Sequence, residues 1–316
     1  NGIAPDDLAL IVSSTGIGKT HLALLIAAHN AYVGNRVCFF ALEATEGELH
    51  KRLLYQEIAN LHYAQSGETI TYRDLVGGKK IDLFSKLIPP AKESVKLKCR
   101  ELLIVSRRGV PDLTAGQFID IARNMRVNEG IEMFVLDHFH FLELDGDDNR
   151  VMAESMKQIL NFVKIEKIPV LCVCHTRKRM HYKDERPILT LDDIQGSSNI
   201  HKMATVVIAA ARSSEAPPGN LLIPTLFKIL KARNYGALMG LTARSDFDIK
   251  RGTYRSSYQL GSIDGSDFKA FESASDIPSW SVGSTIEPVE KPKVSYREKN
   301  IAYLKSLKLR EPGQEG

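Results

Sequence analysis

Short apolar segments alternate with longer amphipathic segments along most of this chain. The apolar segments have the length and composition of β-strands and span residues 8–12, 37–42, 102–105, 133–136, 170–174, 205–210 and 226–230. The amphipathic segments between them resemble helices and include residues 21–32, 46–61, 115–127 and 150–165. Strands that are apolar on both faces and separated by helices indicate a mostly parallel sheet covered by helices on both sides. The pattern predicts an α/β fold.

Two parts of the chain depart from this alternation. Residues from about 62 to 101 indicate an inserted, partly helical and basic segment, for which a solvated surface is expected. Residues 272–293 are rich in Ser, Pro and Gly, as in a linker. We therefore divide the chain into a main domain at 1–265, a linker or tail at 266–294 and a short helical extension at 295–316, the start of a truncated further domain. The first residue is Asn1 rather than Met, as expected of a processed product or a fragment.

Composition narrows the class of protein only slightly. The 316 residues are 43% hydrophobic, which is enough for a large core. The formal net charge of +4 neither requires nor excludes nucleic acid, because a local basic patch suffices for binding. The four cysteines, Cys38, Cys99, Cys172 and Cys174, lack zinc-type spacing, so we expect reduced thiols. No membrane-spanning segment or signal peptide is visible, and we expect a cytoplasmic protein, in a cell, an infected host cell or an organellar matrix.

A phosphate-binding loop follows the first predicted strand and precedes a helix. Residues 13–20 read Ser-Ser-Thr-Gly-Ile-Gly-Lys-Thr, which matches the P-loop pattern except that Ser13 replaces its first glycine. The glycines let backbone N–H groups turn toward phosphate, and the helix N-terminus adds to the attraction for anions. Lys19 can reach the β- and γ-phosphates, and the Thr20 hydroxyl can bind magnesium. The alternative is a chance glycine loop.

We therefore expect ATP or another nucleoside triphosphate, with Mg²⁺, as cofactors. The predicted nucleotide-binding residues are Ser14, Thr15, Gly16, Ile17, Gly18, Lys19 and Thr20.

Two carboxylates end predicted strands. Asp137 ends an apolar strand and can bind the magnesium with Thr20, whereas the alternative is a strand-capping aspartate. Glu43 ends the second strand and can polarise the water that attacks the γ-phosphate. A solvated glutamate is the alternative for Glu43.

Several motifs in a fixed order resemble the DnaB-like hexameric replicative helicases, especially the helicase half of phage primase-helicases and Twinkle. The residues that carry the resemblance are those at 13–20, 40–43, 135–138, 173–175, 191–198 and 228–233. The resemblance covers roughly residues 2–245. It implies a RecA-like P-loop NTPase core with a mostly parallel twisted sheet flanked by helices, followed by a short C-terminal extension.

The resemblance also implies roles for single residues. Glu43 falls at the catalytic glutamate and Asp137 at the magnesium-binding aspartate of the family. His175 falls where the family has a polar residue that senses the γ-phosphate. Lys231 and Arg233 match a Lys-x-Arg pair that reaches into the ATP site of the neighbouring subunit. The alternative for His175 is a histidine in the core or at its rim. The alternative for Lys231 and Arg233 is the solvated face of an edge strand.

Nucleic-acid contacts are expected in two loops that line the central channel of the resembled helicases. The candidates are Arg177, Lys178, Gln195, Gly196 and Ser198. Short polar loops bind single-strand phosphates through backbone N–H groups without reading sequence. Relatives often have Arg where this chain has Gln195, which lowers the local charge. An ordinary surface loop is the alternative.

The function expected from the resemblance is an ATP-dependent ring helicase that translocates on single-stranded DNA and unwinds duplex DNA during replication. Its expected partners are single-stranded DNA, further copies in a hexameric ring, and a primase or helicase loader. One alternative is a RecA-like recombinase or regulatory ATPase that forms rings or filaments without unwinding. Another is a binding module that uses ATP only for assembly, against which the intact Glu43 argues.

Overall fold

The computed structural model describes residues 3–106, 113–142, 148–176, 190–194, 199–212, 221–234, 236–264 and 267–271. Its strands are β1 (Leu8–Ser13), β2 (Val37–Ala41), β3 (Leu102–Ser106), β4 (Met133–Asp137), β5 (Val170–His175), β6 (Val206–Arg212), β7 (Leu222–Ala232), β8 (Thr242–Asp248), β9 (Thr253–Asp264) and β10 (Asp267–Ala270). Its helices are α1 (Lys19–Tyr32), α2 (Glu46–Ser66), α3 (Tyr72–Val76), α4 (Ile81–Lys98), α5 (Ala115–Glu129), α6 (Asp148–Glu166) and α7 (Asn199–Met203).

The described strands form one sheet in the order β10-β9-β8-β7-β6-β1-β5-β4-β2-β3. The strands from β6 to β3 in this order are mutually parallel, and β7 to β10 join the β6 edge as antiparallel neighbours. The predicted α/β class and all seven predicted strands are confirmed. Strands β8, β9 and β10 were not predicted, and the sheet continues to Ala270.

Both faces of the parallel half are covered, as the unbroken apolar runs predicted. All six residues of β1 are buried. Leu8, Leu10 and Val12 face one core cluster, which includes Phe118 of α5 and Phe162 of α6. The alternate β1 residues face a second cluster, which includes α1 and the start of α2. A sheet covered on both faces leaves its strand ends as the place for polar side chains.

Local signals in the sequence set the limits of several helices. Thr45 and Thr114 start α2 and α5 with capping boxes, in which the threonine and the residue three positions later satisfy each other's backbone N–H groups. Gly67 and Gly130 end the same helices with φ of 70° and 68°, values that favour glycine.

The predicted insertion at 62–101 is helical in its described structure. Helix α2 extends to Ser66, beyond its predicted end, and α4 packs along it. Glu57 of α2 accepts hydrogen bonds from Ser94 (2.7 Å) and Lys98 (2.9 Å) of α4. A third apolar cluster forms between these helices around Ile58 and Phe84. At least part of this basic segment therefore packs against α2, and Lys98 is paired with Glu57.

No helix in the described ranges combines the length and apolar character that crossing a membrane requires.

Candidate nucleotide-binding site

The predicted phosphate loop connects β1 to α1 at the carboxyl edge of the parallel strands. Gly16 and Gly18 adopt φ of 84° and 98°, in the left-handed region that other residues rarely enter. Ser14, Thr15, Gly16 and Gly18 are exposed and Ile17 is half-buried. The loop therefore presents its backbone to solvent directly before the N-terminus of α1, where an anion is favoured.

Lys19 turns back onto this loop. Its Nζ donates hydrogen bonds to the carbonyl oxygens of Ser13 (3.0 Å) and Ser14 (3.1 Å), and the residue is buried. Burial lowers the pKa of the Lys19 ammonium, while the nearby charges of Glu43 and Asp137 oppose that shift. The ammonium is held in place by uncharged acceptors, which a phosphate oxygen can replace with a stronger, charge-assisted bond.

Thr20 and Asp137 meet at the base of the loop. The Thr20 hydroxyl donates to Oδ1 of Asp137 at 3.3 Å. Asp137 is fully buried, and burial raises its pKa to about 7, against the opposing effect of the Thr20 hydrogen bond. Its Oδ2 has no hydrogen-bond partner within the described part of the chain. A buried carboxylate oxygen without a partner is costly, and it is a suitable ligand atom for a hard cation.

Strand pairing places the remaining acid and a histidine beside this pair. Ala41 of β2 pairs with Asp137 of β4, so Glu43 follows the same sheet edge two residues later. Ser13 of β1 pairs with His175 of β5. Glu43 is exposed and His175 is half-buried, so both can reach a ligand at this edge.

His138 belongs to the site although sequence analysis gave it no role. It is fully buried directly after Asp137, its ring stacks on that of His175 with centroids 3.7 Å apart, and its Nε2 lies 3.8 Å from Oε2 of Glu43. Burial, with smaller effects from the charges of His175 and Lys19, lowers the pKa of His138 to about 2. A neutral His138 forms no ion pair with Glu43. The only signal in the sequence was its position beside Asp137.

The structure places Lys231 and Arg233 against helix α7. Lys231 Nζ donates to the carbonyl oxygens of His201 (2.7 Å) and Lys202 (2.9 Å), and Arg233 donates to the carbonyl of Lys202 (2.9 Å). Burial lowers the pKa of Lys231 to about 8, and the charge of Arg233 adds to this shift. Their described hydrogen-bond partners are therefore helix carbonyls rather than groups of the chain's own phosphate loop.

Arg212 is a loop contact that sequence analysis missed. It ends β6, the neighbour of β1, and donates to the carbonyl oxygen of Gly16 at 3.0 Å. Its guanidinium therefore lies beside the phosphate loop.

An aromatic cavity of about 410 Å³ opens beside the loop. Its wall includes Gly16 and Gly18, the arginines Arg52 and Arg212, and the rings of His21, Tyr55, Tyr72, Phe247 and Tyr254. These rings are fixed by contacts from distant segments. His21 Nε2 lies 2.7 Å from the Gly252 carbonyl oxygen, and the Tyr55 hydroxyl donates to the carbonyls of Ile70 (3.0 Å) and Lys250.

The five candidate DNA contacts lie outside the described residues. These are Arg177, Lys178, Gln195, Gly196 and Ser198. The described residues directly before them, Thr176 and Ile194, pair in an isolated antiparallel bridge. The first predicted DNA-binding loop therefore begins just after β5, and the second begins after a residue that lies beside that point.

Comparisons with known proteins identify relatives over most of the chain. The family model "DnaB-like helicase C terminal domain" matches residues 1–237. A probable plasmid replicative DNA helicase of Chlamydia psittaci is 27% identical over 253 residues, which are 75% of this chain and 49% of that protein. A DNA helicase/primase of Enterobacteria phage T3 is 24% identical over 109 residues, 33% of this chain and 19% of that protein. The chain thus spans at most about half the length of these curated relatives.

Solved structures show the same fold. A solved ATPase domain superposes with a TM-score of 0.67 at 16% identity, covering 80% of this chain and 85% of that one. A DnaB-like replicative helicase, solved in a study of its interactions with primase, superposes with a TM-score of 0.65 at 17% identity, covering 80% of this chain and 58% of that one. The RecA-like core expected from the sequence is confirmed.

Proposed function

Because the chain belongs to the DnaB-like helicase C-terminal domain family, we propose that it is the ATP-hydrolysing motor of a ring helicase that moves along single-stranded DNA and unwinds duplex DNA during replication. The observation that carries the proposal is the convergence of Lys19, Thr20, Glu43 and Asp137 at one sheet edge, next to an open phosphate loop. The names of the plasmid and phage relatives, a replicative helicase and a helicase/primase, support the same activity.

The triphosphate of ATP binds over the exposed loop. Backbone N–H groups of the loop and the N-terminus of α1 attract the phosphates, and the Lys19 ammonium leaves the Ser13 and Ser14 carbonyls to donate to them. Thr20 and Asp137 would hold Mg²⁺, and their oxygen donors and the unpartnered Asp137 Oδ2 fit that ion. When bound, Mg²⁺ neutralises charge on the phosphates.

Glu43 positions and deprotonates the attacking water. Its carboxylate is exposed at the end of β2, close to the loop that holds the phosphates. A neutral His138 at 3.8 Å forms no ion pair with the Glu43 carboxylate, which leaves that carboxylate able to accept the proton of the water. His175, beside Ser13 in the sheet register, contacts the γ-phosphate and relays its presence to the loop that follows β5.

The nucleoside occupies the aromatic cavity next to the loop. Its volume of about 410 Å³ lies within the usual size range of small-molecule sites, and its wall combines aromatic rings with two arginines. Aromatic faces and guanidinium groups stack on nucleobases. In this proposal the triphosphate lies over Gly16–Gly18 and the base lies toward Tyr72 and Phe247.

Lys231 and Arg233 act on the ATP site of an adjacent copy in a ring, which we propose is hexameric. Both cations are held by neutral carbonyls of α7, so their charges are available to a phosphate brought by a second copy. An arginine supplied in trans makes hydrolysis depend on assembly.

Single-stranded DNA binds in the channel of the ring, close to the point where Thr176 meets Ile194. The proposed contacts are residues 177, 178, 195, 196 and 198. A primase or loader is a further proposed partner.

The test is ATP hydrolysis with and without single-stranded DNA at protein concentrations high enough for assembly. We expect DNA to stimulate hydrolysis, and Arg233→Ala to abolish hydrolysis while nucleotide still binds. Arg255→Ala is the matched control, because Arg255 is an exposed arginine elsewhere on the same sheet. A rate of ATP hydrolysis that changes neither with DNA nor in Arg233→Ala would refute the ring-motor proposal. DNA-stimulated hydrolysis without strand displacement would instead support a recombinase or regulatory ATPase.

A further inference from the structure

A second group of ligand atoms lies beside the phosphate loop, apart from the Thr20–Asp137 pair. Glu43, His138 and His175 each offer one atom, and these three atoms lie within 4.8 Å of one another. They come from the ends of three strands, β2, β4 and β5, that are adjacent in the sheet. This is the one group of three or more such side chains that the described part of the chain brings so close.

The nitrogens of His138 are the ligand atoms in this group that most need a partner. His138 is fully buried, and neither of its ring nitrogens has a hydrogen-bond partner among the described residues. Burying an imidazole without a partner for either nitrogen is costly, and nearly all buried polar groups avoid it. Its Nε2 faces Glu43 at 3.8 Å, which is too long for a hydrogen bond. The ring also stacks on His175, so the unpartnered nitrogens lie next to a second imidazole.

The donor set selects a class of ion. Two imidazoles and one carboxylate are the ligands of catalytic zinc sites, in which a water completes the tetrahedron. Mg²⁺ prefers oxygen ligands and an octahedral arrangement, which this group does not provide. Ligand atoms of a tetrahedral zinc site are about 3.3 Å apart, as follows from bond lengths of about 2.0–2.1 Å. The stacked rings of His138 and His175 hold their nitrogen lone pairs in nearly parallel planes, so one ring must turn before both can face one ion. His175 is half-buried and Glu43 is exposed, so these two side chains are the ones that move.

We propose that Glu43, His138 and His175 form a site for Zn²⁺ or a similar transition-metal ion in the nucleotide-free chain, and that this ion inhibits ATP hydrolysis. A bound ion occupies the carboxylate of Glu43 and the ring of His175, the two groups that face the reacting end of ATP in the proposed function. The ammonium of Lys19 lies near both histidines and opposes the ion. Glu43 and Asp137 partly balance that charge.

The first test measures Zn²⁺ binding to the nucleotide-free chain by competition with a chromophoric chelator. Metal binding needs no hydrolysis, so this test is independent of the helicase proposal. We expect His138→Asn and His175→Asn each to weaken binding at least about tenfold, since even outer-shell partners of a metal contribute that much. His175 is half-buried, so its variant stays informative if His138→Asn fails to fold. Lys19→Met removes the opposing charge, and we expect it to strengthen binding.

His50→Asn is the matched control, because His50 forms an exposed imidazole–carboxylate pair with Glu46 at 3.4 Å. Its affinity for Zn²⁺ should equal that of the native chain. Equal weakening in His50→Asn, or unchanged binding in both cluster variants, would overturn the proposal. So would loss of binding in Asp137→Asn combined with full binding in His138→Asn, because the ion would then occupy the predicted magnesium site.

The second test titrates Zn²⁺ into the hydrolysis reaction at fixed magnesium and ATP. We expect inhibition of the native chain and at least about tenfold less sensitivity in His138→Asn. Equal sensitivity of the two proteins would place the inhibitory ion elsewhere and would refute the proposal.

Discussion

Replacing Asp137 by Asn should stabilise the nucleotide-free chain at neutral pH while removing its function. Asp137 is fully buried and burial raises its pKa from 3.8 to about 7. The folded state therefore binds the proton more tightly than the unfolded state, and the charged carboxylate destabilises the fold. The penalty is complete above about pH 7 and decreases as the pH falls toward 3.8. A shift of about three pKa units corresponds to at most about 4 kcal/mol at 1.36 kcal/mol per unit.

The expected gain is smaller than this limit. The effective dielectric constant at buried sites is higher than that of a dry protein interior, which reduces the cost of a buried charge. In the variant, the amide N–H group that replaces Oδ2 would also lack a partner. We therefore expect Asp137→Asn to raise the free energy of unfolding by about 2 kcal/mol at pH 8 and by less than about 1 kcal/mol at pH 5. The measurement is urea unfolding at both values of pH, with EDTA and without nucleotide.

The control is a second buried aspartate. One oxygen of Asp7, Oδ1, also lacks a hydrogen-bond partner in the described part of the chain. Its other oxygen, Oδ2, accepts a hydrogen bond from the backbone N–H of Ala4 at 2.8 Å, and Asp7→Asn weakens that bond. It should be neutral or destabilising at both values of pH. If Asp137→Asn were neutral or destabilising at both values too, the assignment of a desolvated, unpartnered carboxylate to this position would be wrong.

Three further predictions concern the core, a helix terminus and the nucleotide. Phe118 is fully buried among aromatic rings, so Phe118→Ala should lower the free energy of unfolding, measured in urea, by about 3–5 kcal/mol. The control is Phe141→Ala, at a 37% exposed position, which should lower it by less than about 1 kcal/mol. Thr114→Ala removes the capping box of α5 and should cost about 1 kcal/mol, seen as a lower Tm; an unchanged Tm would contradict the role of the cap. Tyr72→Ala should weaken ATP binding about threefold to tenfold, because an aromatic contact contributes about 0.5–1.5 kcal/mol. Binding of inorganic tripolyphosphate, which has no base, should not change in that variant, and an equal loss for both ligands would refute the assignment of the cavity to the nucleoside.

The parallel half of the fold was predictable because its signals are local. Each parallel strand is a short apolar run that needs cover on both faces, and strand ends then place Glu43 and Asp137 at one edge. The phosphate loop was predictable for the same reason, since strand, glycines and helix follow one another directly. The environment of His138 was not predictable, because a histidine after a strand gives no sign of whether its nitrogens find partners.

Strands β8 to β10 of the antiparallel half were not predicted, because they lack the continuous apolar run that identified β7. Strand β8 reads Thr-Ala-Arg-Ser-Asp-Phe-Asp, and most of its residues are only partly buried. Such strands are held mainly by backbone pairing with neighbours, which composition does not reveal. The contacts of Lys231 and Arg233 with α7 were missed for a related reason, since they join residues about 30 positions apart through backbone carbonyls.

The two halves contribute different parts of the proposed ATP site. The parallel core supplies the phosphate and metal ligands predicted for the chain's own site, from Lys19 to Asp137. The cavity beside the loop also needs the insertion and the antiparallel strands, because Tyr72 comes from the inserted helices and Phe247 from the unpredicted strand β8. Tyr55 joins these parts through its hydroxyl, which donates to carbonyls before α3 and after β8. Substitutions in the insertion or in the antiparallel strands should therefore change which nucleoside binds, whereas substitutions at the parallel edge should change whether any phosphate binds.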